Sequence, residues 1–173
     1  HFEMIVIIDY GIGNLHSVQK AVEIVGGQPR ISADPAALLK ADKVILPGVG
    51  AFKDGMRGLK LSGLLPAIQD FATSGLPLLG ICLGMQLLFE QSYEAGQHIG
   101  MGILAGQVIP LNPNKVKVPQ IGWNQIKTQK PSPLLMGVPS GSYVYFNHGY
   151  LCQPADPEHV LATSDYGSSF ASV

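Results

Sequence analysis

The chain has 173 residues, of which 46% are hydrophobic and 13% charged, and its formal net charge at pH 7 is −1. This length favours one domain with a sizeable core, and no apolar run approaches the roughly 18 residues that a membrane span needs. A near-neutral charge without a basic stripe argues against a nucleic-acid partner. The two cysteines show neither metal-ligand spacing nor a disulfide pattern, so we expect a cytoplasmic location and no bound metal.

Strands and helices alternate along the first half of the chain. Continuous apolar runs predict buried strands, and polar caps followed by apolar residues at helical spacing predict helices. The predicted strands are 4–10, 30–31, 43–46 and an apolar run before Gly80; the predicted helices are 15–25, a short one starting at Pro35, 56–61 and 64–73. This order predicts an α/β fold with a doubly wound, mostly parallel sheet, whose sites form at the carboxyl ends of the strands.

The second half is richer in β-type residues and is broken by Pro, Gly and Asn. It predicts an added antiparallel β segment packed on the sheet, with short strands near 108–111, 116–118, 123–126, 143–146 and 160–163, and another beginning at 170. We expect one domain over residues 4–173 that lacks its C-terminal strand and helix. Residues 1–3, ahead of Met4, are interpreted as the remnant of an expression tag.

The segment Gly80-Ile81-Cys82-Leu83-Gly84 joins a predicted strand to a run at helical spacing. This is the layout of a nucleophile elbow, with cysteine as the nucleophile. The elbow holds its central residue in a strained backbone, and the two glycines avoid clashes that a Cβ would cause. A position at the start of a helix also favours the thiolate. The alternative is a buried cysteine that acts as a small hydrophobe.

Two further loops follow predicted strands and are expected at the same sheet edge. Residues 47–50, Pro-Gly-Val-Gly, could turn peptide N–H groups into a cleft and form an oxyanion hole with the Leu83 N–H. Residues 11–14 resemble a dinucleotide fingerprint but lack its third glycine, so a tight turn is the simpler interpretation.

A cysteine nucleophile needs a base, and four histidines are candidates: His16, His98, His148 and His159. None has a carboxylate at an informative spacing. From the residues alone His148 ranks first, because its aromatic segment, residues 145–150, could line a site.

Taken together, these segments resemble the class I glutamine amidotransferases, and most closely the glutaminase subunits of imidazole glycerol phosphate synthases in histidine biosynthesis. The matching segments follow the family's order: residues 9–15 (DYGIGNL), 47–52 (PGVGAF), 80–89 (GICLGMQLLF), 119–124 (PQIGWN) and 143–150 (YVYFNHGY).

The resemblance implies a flavodoxin-like fold, no cofactor, and a cysteine thioester mechanism in which Cys82 attacks the side-chain amide of glutamine and ammonia is released. It implies an oxyanion hole from the N–H groups of Leu83 and, after a peptide reorientation, Val49. The implied glutamine-binding residues are Gly50, Gln86, Gly149 and Tyr150.

The resemblance also implies a heterodimer. The partner is a (β/α)₈ cyclase subunit that receives ammonia through its interior and makes imidazole glycerol phosphate and AICAR. Residues Gly13, Asn14, Trp123 and Asn124 would lie toward that partner.

One departure from the family pattern concerns the base. Family members carry it as His-x-Glu in a Phe-His-Pro-Glu-type C-terminal segment, and this sequence has no such segment. The resemblance therefore demotes His148, and we expect this chain to be a poor glutaminase even with its partner.

Three alternatives remain open. One is the glutaminase subunit of another amidotransferase, such as anthranilate or aminodeoxychorismate synthase, against which Met85 and Gly122-Trp123-Asn124 argue. Another is a non-catalytic α/β binding subunit, which the missing His-x-Glu favours. The last, an α/β-hydrolase, would need an acid and a histidine after the elbow, and no convincing pair is present.

Overall fold

The computed structural model describes residues 3–173, so the tag interpretation of residues 1 and 2 lies outside the described residues. The strands are β1 Ile5–Ile8, β2 Pro29–Ser32, β3 Lys43–Leu46, β4 Leu78–Gly80, β5 Phe89–Ser92, β6 His98–Ile99, β7 Leu104–Pro110, β8 Gln120–Gln125, β9 Lys127–Thr128, β10 Tyr143–His148, β11 Tyr150–Pro154, β12 Ala162–Asp165 and β13 Ser169–Ala171. The helices are α1 Leu15–Ile24, α2 Pro35–Leu38, α3 Phe52–Leu61, α4 Leu64–Thr73 and α5 Leu83–Gln86, with 3₁₀ turns at Pro133–Leu135 and Pro157–His159.

The first half forms the predicted parallel sheet, in the order β2-β1-β3-β4. Its central strands are apolar on both faces, because helices cover the sheet; the consecutive residues Val6 and Ile7 of β1, and Val44 and Ile45 of β3, are all buried. The carboxyl ends of β1, β3 and β4 consequently lie side by side, and the loop after each strand begins at the same sheet edge.

Local capping explains where the first two helices begin. The Asn14 side chain accepts a hydrogen bond from the Ser17 N–H (3.3 Å), and the Asp34 carboxylate accepts one from the Ala36 N–H (2.9 Å), with Pro35 in the first turn. Both caps and the predicted bounds of α1 and α4 are confirmed to within one residue.

The second half forms a seven-stranded sheet in the order β6-β5-β7-β11-β13-β12-β9. It is antiparallel except for the β5–β7 pair, which is parallel. Val108 of β7 and Cys152 of β11 belong to the same buried cluster as the parallel-sheet residues, so one core serves both sheets. Strands β8 and β10 pair separately as an antiparallel ribbon, in which Trp123 lies opposite Tyr145.

Helix α3 begins at Phe52, four residues before its predicted start at residue 56. Two further details of the sequence-based expectation are wrong. The helix after the elbow lasts only from Leu83 to Gln86, because the apolar run beyond it becomes strand β5. Residues 116–118 are not a strand; they follow a turn at 113–115. Short apolar runs do not distinguish helix from strand by periodicity alone, so the tertiary context decided both.

Within residues 3–173, no helix has the length and apolar character required to cross a bilayer.

Candidate functional site

A cavity of about 800 Å³ lies at the carboxyl edge of β3 and β4, and residues of the second sheet and the ribbon also line it. This volume is within the usual range for small-molecule sites. The lining comes mainly from four segments: 49–51, 81–86, 144–152 and 170–173. Of the three loops expected at this edge, the elbow and the 47–50 loop reach the cavity, whereas the 11–14 loop does not line it and packs behind Pro47.

Cys82 has the strained backbone that an elbow requires. Its φ of 54° and ψ of −116° lie in a region that non-glycine residues rarely occupy. A Cβ on Gly84 would fall on the Leu46 carbonyl oxygen, and one on Gly80 would come within 2.7 Å of the Met85 Cα. The expectation that only glycine fits on either side of the cysteine is confirmed, and this packing keeps Cys82 in its strained conformation.

The pKa of the Cys82 thiol differs from the sequence-based expectation. Solvent reaches Cys82 through the cavity, but the surrounding protein raises the pKa of its thiol, while the hydrogen bond from the Leu83 N–H lowers it by a smaller amount. The expectation of a helix-stabilised thiolate is wrong in its net direction, because α5 is a single turn and desolvation outweighs it. The same hydrogen bond places the Leu83 N–H beside the sulfur.

The 47–50 loop supplies part of the cavity wall beside the elbow. Val49 is 55% exposed, and Gly50 has a φ of 98° with no atom within 4 Å of a Cβ built on it. The loop therefore has free space on its cavity side at these two residues. Residues Val49 and Leu83, which were expected to supply oxyanion donors, line the same cavity.

All four residues expected to bind glutamine, Gly50, Gln86, Gly149 and Tyr150, line the cavity. Sequence reasoning missed Glu94, the acidic residue among the lining residues. One Glu94 carboxylate oxygen accepts a hydrogen bond from the Phe52 N–H at the start of α3 (2.9 Å), which ties residue 94 to the helix after the 47–50 loop. No local motif marks this residue, because it lies in the turn after β5, a strand that was not predicted.

His148 lines the cavity, but both of its ring nitrogens have other partners. Nδ1 lies 2.8 Å from the Tyr150 carbonyl oxygen and Nε2 lies 2.7 Å from the Gln120 Oε1. The Cys82 thiol lies 3.9 Å from a different group, the Asn147 carbonyl oxygen. His148 is thus held as a structural side chain, which agrees with its demotion by the resemblance.

The other three histidines do not line the cavity. His16 is exposed on α1, His98 Nε2 lies 3.2 Å from the Ala95 carbonyl oxygen, and His159 faces Asp156 at 3.9 Å. No group of three or more His, Cys, Asp or Glu side chains within residues 3–173 is placed to hold a metal ion.

The four residues expected at a partner interface have different surroundings in the structure. Trp123 is 70% exposed and makes an edge-to-face contact with Tyr145, with ring centroids 5.5 Å apart. Asn124 points to the other face of β8, where its side-chain amide donates to the Asp165 carbonyl oxygen (2.9 Å). Asn14 caps α1, and Gly13 packs beside Pro47.

Trp123 is part of an apolar ribbon face, formed by the outward side chains of β8 and β10. These side chains alternate with inward ones along both strands. The exposed apolar members are Ile121, Trp123, Tyr143 and Tyr145, which are each at least 58% exposed. Large exposed apolar patches of this kind typically mark interaction sites.

Comparison with known proteins gives a family for this chain. Residues 6–173 match the family model described as glutamine amidotransferase class-I. The imidazole glycerol phosphate synthase subunit HisH of Syntrophotalea carbinolica is 50% identical over 173 residues, covering 96% of this chain and 84% of the relative. The subunit of the same name from Aquifex aeolicus is 51% identical over 168 residues, covering 96% and 81%.

Solved structures agree on the fold. PurLQS from Thermotoga maritima gives a TM-score of 0.73 at 21% identity, covering 97% of this chain and 78% of that one. A glutamine amidotransferase from the same organism gives 0.61 at 16% identity, covering 98% and 74%. The cavity, the strained cysteine and the match over residues 6–173 lead to one conclusion: this chain belongs to the class I glutamine amidotransferase family.

Proposed function

We propose that the chain is a glutaminase subunit that hydrolyses glutamine to glutamate and ammonia for an imidazole glycerol phosphate synthase, with Cys82 as the nucleophile. One observation carries the proposal: a cysteine in a strained elbow faces an 800 Å³ cavity in a chain about half identical to HisH subunits. The relatives' common name favours this assignment over a subunit of another amidotransferase.

The proposed chemistry begins with attack of the Cys82 sulfur on the side-chain amide carbon. The oxyanion that develops is met by the Leu83 N–H, which already lies beside the sulfur, and by the Val49 N–H after rotation of its peptide. The C–N bond then breaks, and the nitrogen takes the proton lost by the thiol and leaves as ammonia. Water hydrolyses the remaining γ-glutamyl thioester to glutamate and regenerates the thiol. Because the Cys82 pKa is raised, the thiol needs a base to become reactive at neutral pH.

His148 is not that base, because both of its ring nitrogens are engaged. The family resemblance assigns the base to a His-x-Glu pair, and no residue of the described cavity wall takes that role here. Binding and thiol chemistry can therefore be tested separately from turnover.

The cavity offers complementary groups for the amino-acid end of glutamine. The Glu94 carboxylate is suited to the substrate ammonium group, and the backbone around Gly149 and Tyr150 can hold the carboxylate. Gln86, only 8% exposed, can accept and donate to the substrate amide. Gly50 leaves room for the ligand because it carries no side chain.

We assign the apolar ribbon face to the synthase partner, a (β/α)₈ cyclase subunit. The ribbon connects the proposed partner surface directly with the cysteine site. Asn147 of β10 pairs with Ile121 of β8, and its carbonyl oxygen lies beside the Cys82 sulfur. A partner seated on Trp123 and Tyr145 would lie next to the place where ammonia is released.

Selective labelling tests the nucleophile. The 173-residue chain is treated with a chloroketone analogue of glutamine at alkaline pH, where part of the Cys82 thiol ionises without a base. The sulfur then displaces chloride and an S–C bond forms. We expect one adduct, at Cys82, and protection by millimolar L-glutamine but not by D-glutamine. Mass spectrometry of the peptides gives the site.

Two variants control the labelling. The Cys82→Ala variant should show no adduct, while Cys152→Ala should label normally, because Cys152 is 3% exposed and its pKa is raised to about 12. Labelling that glutamine does not slow, or equal labelling of both cysteines, would reject the glutaminase assignment and favour the non-catalytic binding subunit.

A further inference from the structure

Tyr10 is a buried polar side chain to which the proposed chemistry gives no role. It follows β1 at the carboxyl edge of the sheet and is only 3% exposed. Its hydroxyl donates a hydrogen bond to the Pro47 carbonyl oxygen, at 2.5 Å, across the end of the neighbouring strand β3. Burial, with a smaller contribution from Cys82, raises the pKa of the Tyr10 phenol, so the hydroxyl remains a neutral donor.

The Tyr10 hydroxyl also packs closely against Gly48, the next residue of the loop. A Cβ built on Gly48 would come within 2.5 Å of the Tyr10 oxygen, 2.9 Å of the Gly84 nitrogen and 2.9 Å of the Leu83 Cβ. The start of the loop is therefore enclosed between the phenol on one side and the first turn of α5 on the other.

The remainder of the loop is unconstrained by comparison. Val49 is more than half exposed, and no atom lies within 4 Å of a Cβ built on Gly50. Between the enclosed Gly48 and the exposed Val49, the connecting peptide is the first in the loop with room to rotate. This is the peptide whose N–H would face the oxyanion.

We propose that Tyr10 is a positioning residue that fixes the Pro47 carbonyl, so that rotation is confined to the 48–49 peptide and its N–H stops in register with the Leu83 N–H. This rests on the proposed function, because it assigns Tyr10 to the oxyanion hole of that reaction. The hydroxyl acts through the loop and does not touch substrate.

The test compares two reagents that attack the same sulfur. The first is a glutamine analogue in which a nitrile replaces the carboxamide: the Cys82 S–H adds across the C≡N bond, the sulfur bonds to carbon, and the nitrogen takes the proton. Negative charge develops on nitrogen where the oxyanion would lie, so the rate depends on both N–H donors. The second is iodoacetamide, which displaces iodide and needs no oxyanion hole.

In Tyr10→Phe we expect the nitrile adduct at Cys82 to form about tenfold to a hundredfold more slowly, since misaligning one donor removes part of its contribution. The iodoacetamide rate at Cys82 should change less than about twofold. Tyr166→Phe is the matched control: its hydroxyl makes an equally short bond to a carbonyl oxygen, that of Lys117, at an exposed position outside the cavity. That variant should react like the wild type.

The possible outcomes separate the two proposals. If the wild-type chain forms no nitrile adduct at a pH where iodoacetamide alkylates Cys82, the glutaminase assignment fails and the role of Tyr10 fails with it. Equal nitrile rates for the wild type and Tyr10→Phe overturn the positioning role alone. Iodoacetamide labelling of buried Cys152 in Tyr10→Phe would show that the hydroxyl supports the fold in general, and it would also overturn the positioning role.

Discussion

The cavity has two regions that differ in how tightly they are packed. We use the name floor for the elbow, residues 80–84, together with Cys152 behind it. We use the name rim for Val49, Gly50 and the surface defined above as the apolar ribbon face. At Gly84 a Cβ would fall on backbone, whereas at Gly50 it would meet nothing within 4 Å. Cys152 is 3% exposed and Trp123 is 70% exposed. Changes in the floor should therefore lower the free energy of unfolding most, and changes in the rim should alter function at a smaller loss of stability.

The largest effect on stability is expected for Gly84→Ala in the floor. The new methyl group would displace the Leu46 carbonyl, which accepts the Ile81 N–H at 3.0 Å and holds the elbow against β3. We expect a loss of about 3 kcal/mol or more in the free energy of unfolding, at the upper end for overpacking. Urea denaturation of the wild type and variant measures it.

Gly26→Ala provides the control for Gly84→Ala. Gly26 has a φ of 89° and open space around it. Backbone strain alone should therefore lower the free energy of unfolding of this variant, by about 1 to 2 kcal/mol. If Gly84→Ala were no less stable than Gly26→Ala, the floor would not be packed as described.

A second effect in the floor depends on pH. The folded Cys152 pKa of about 12 lies above the ordinary value of 9.0. The unfolded chain then loses its thiol proton first, so this contribution to stability is complete below pH 9 and is lost as the pH rises from 9 towards 12. Between pH 9 and 10.5 we expect a loss of about 1 to 2 kcal/mol attributable to this thiol.

Urea denaturation at several pH values between 8 and 10.5 measures this slope. Cys152→Ala lacks the thiol, so its unfolding free energy should fall less steeply over the same range, while Tyr10 and other alkaline groups contribute equally to both proteins. Parallel slopes for the two proteins would mean that Cys152 is not desolvated in the folded state.

The sequence could predict the features of the molecule that depend on local signals. The parallel sheet, the caps at Asn14 and Asp34 and the elbow glycines follow from local rules, because backbone strain and apolar runs leave local signals. The role of Glu94 and the raised pKa of Cys82 could not be predicted, since both depend on groups brought together from distant segments. The assignment of one domain to residues 4–173 remains a prediction.

In the rim, Gly50→Ala should separate stability from chemistry. Its φ of 98° makes alanine unfavourable by about 1 to 2 kcal/mol, as in Gly26→Ala, which has the same sign of φ and the same open surroundings. We expect both variants to lose similar stability in urea, but only Gly50→Ala to react about tenfold or more slowly with the glutamine-shaped nitrile, because it lies beside the Val49 donor. Equal nitrile rates for the two variants would remove Gly50 from the site.

The smallest change in stability is expected at the outer part of the rim, for Trp123→Ala. Exposed side chains contribute little to folding, so we expect a change within about 0.5 kcal/mol. An aromatic side chain at the centre of an interface commonly contributes about 2 kcal/mol or more to binding, so affinity for the cyclase subunit should fall about thirtyfold or more. Leu61→Ala is the matched control, because Leu61 is 77% exposed on α3, away from the ribbon. Titration calorimetry should show a loss only for Trp123→Ala; equal affinities for the two variants would mean that the cyclase subunit does not dock on the apolar ribbon face.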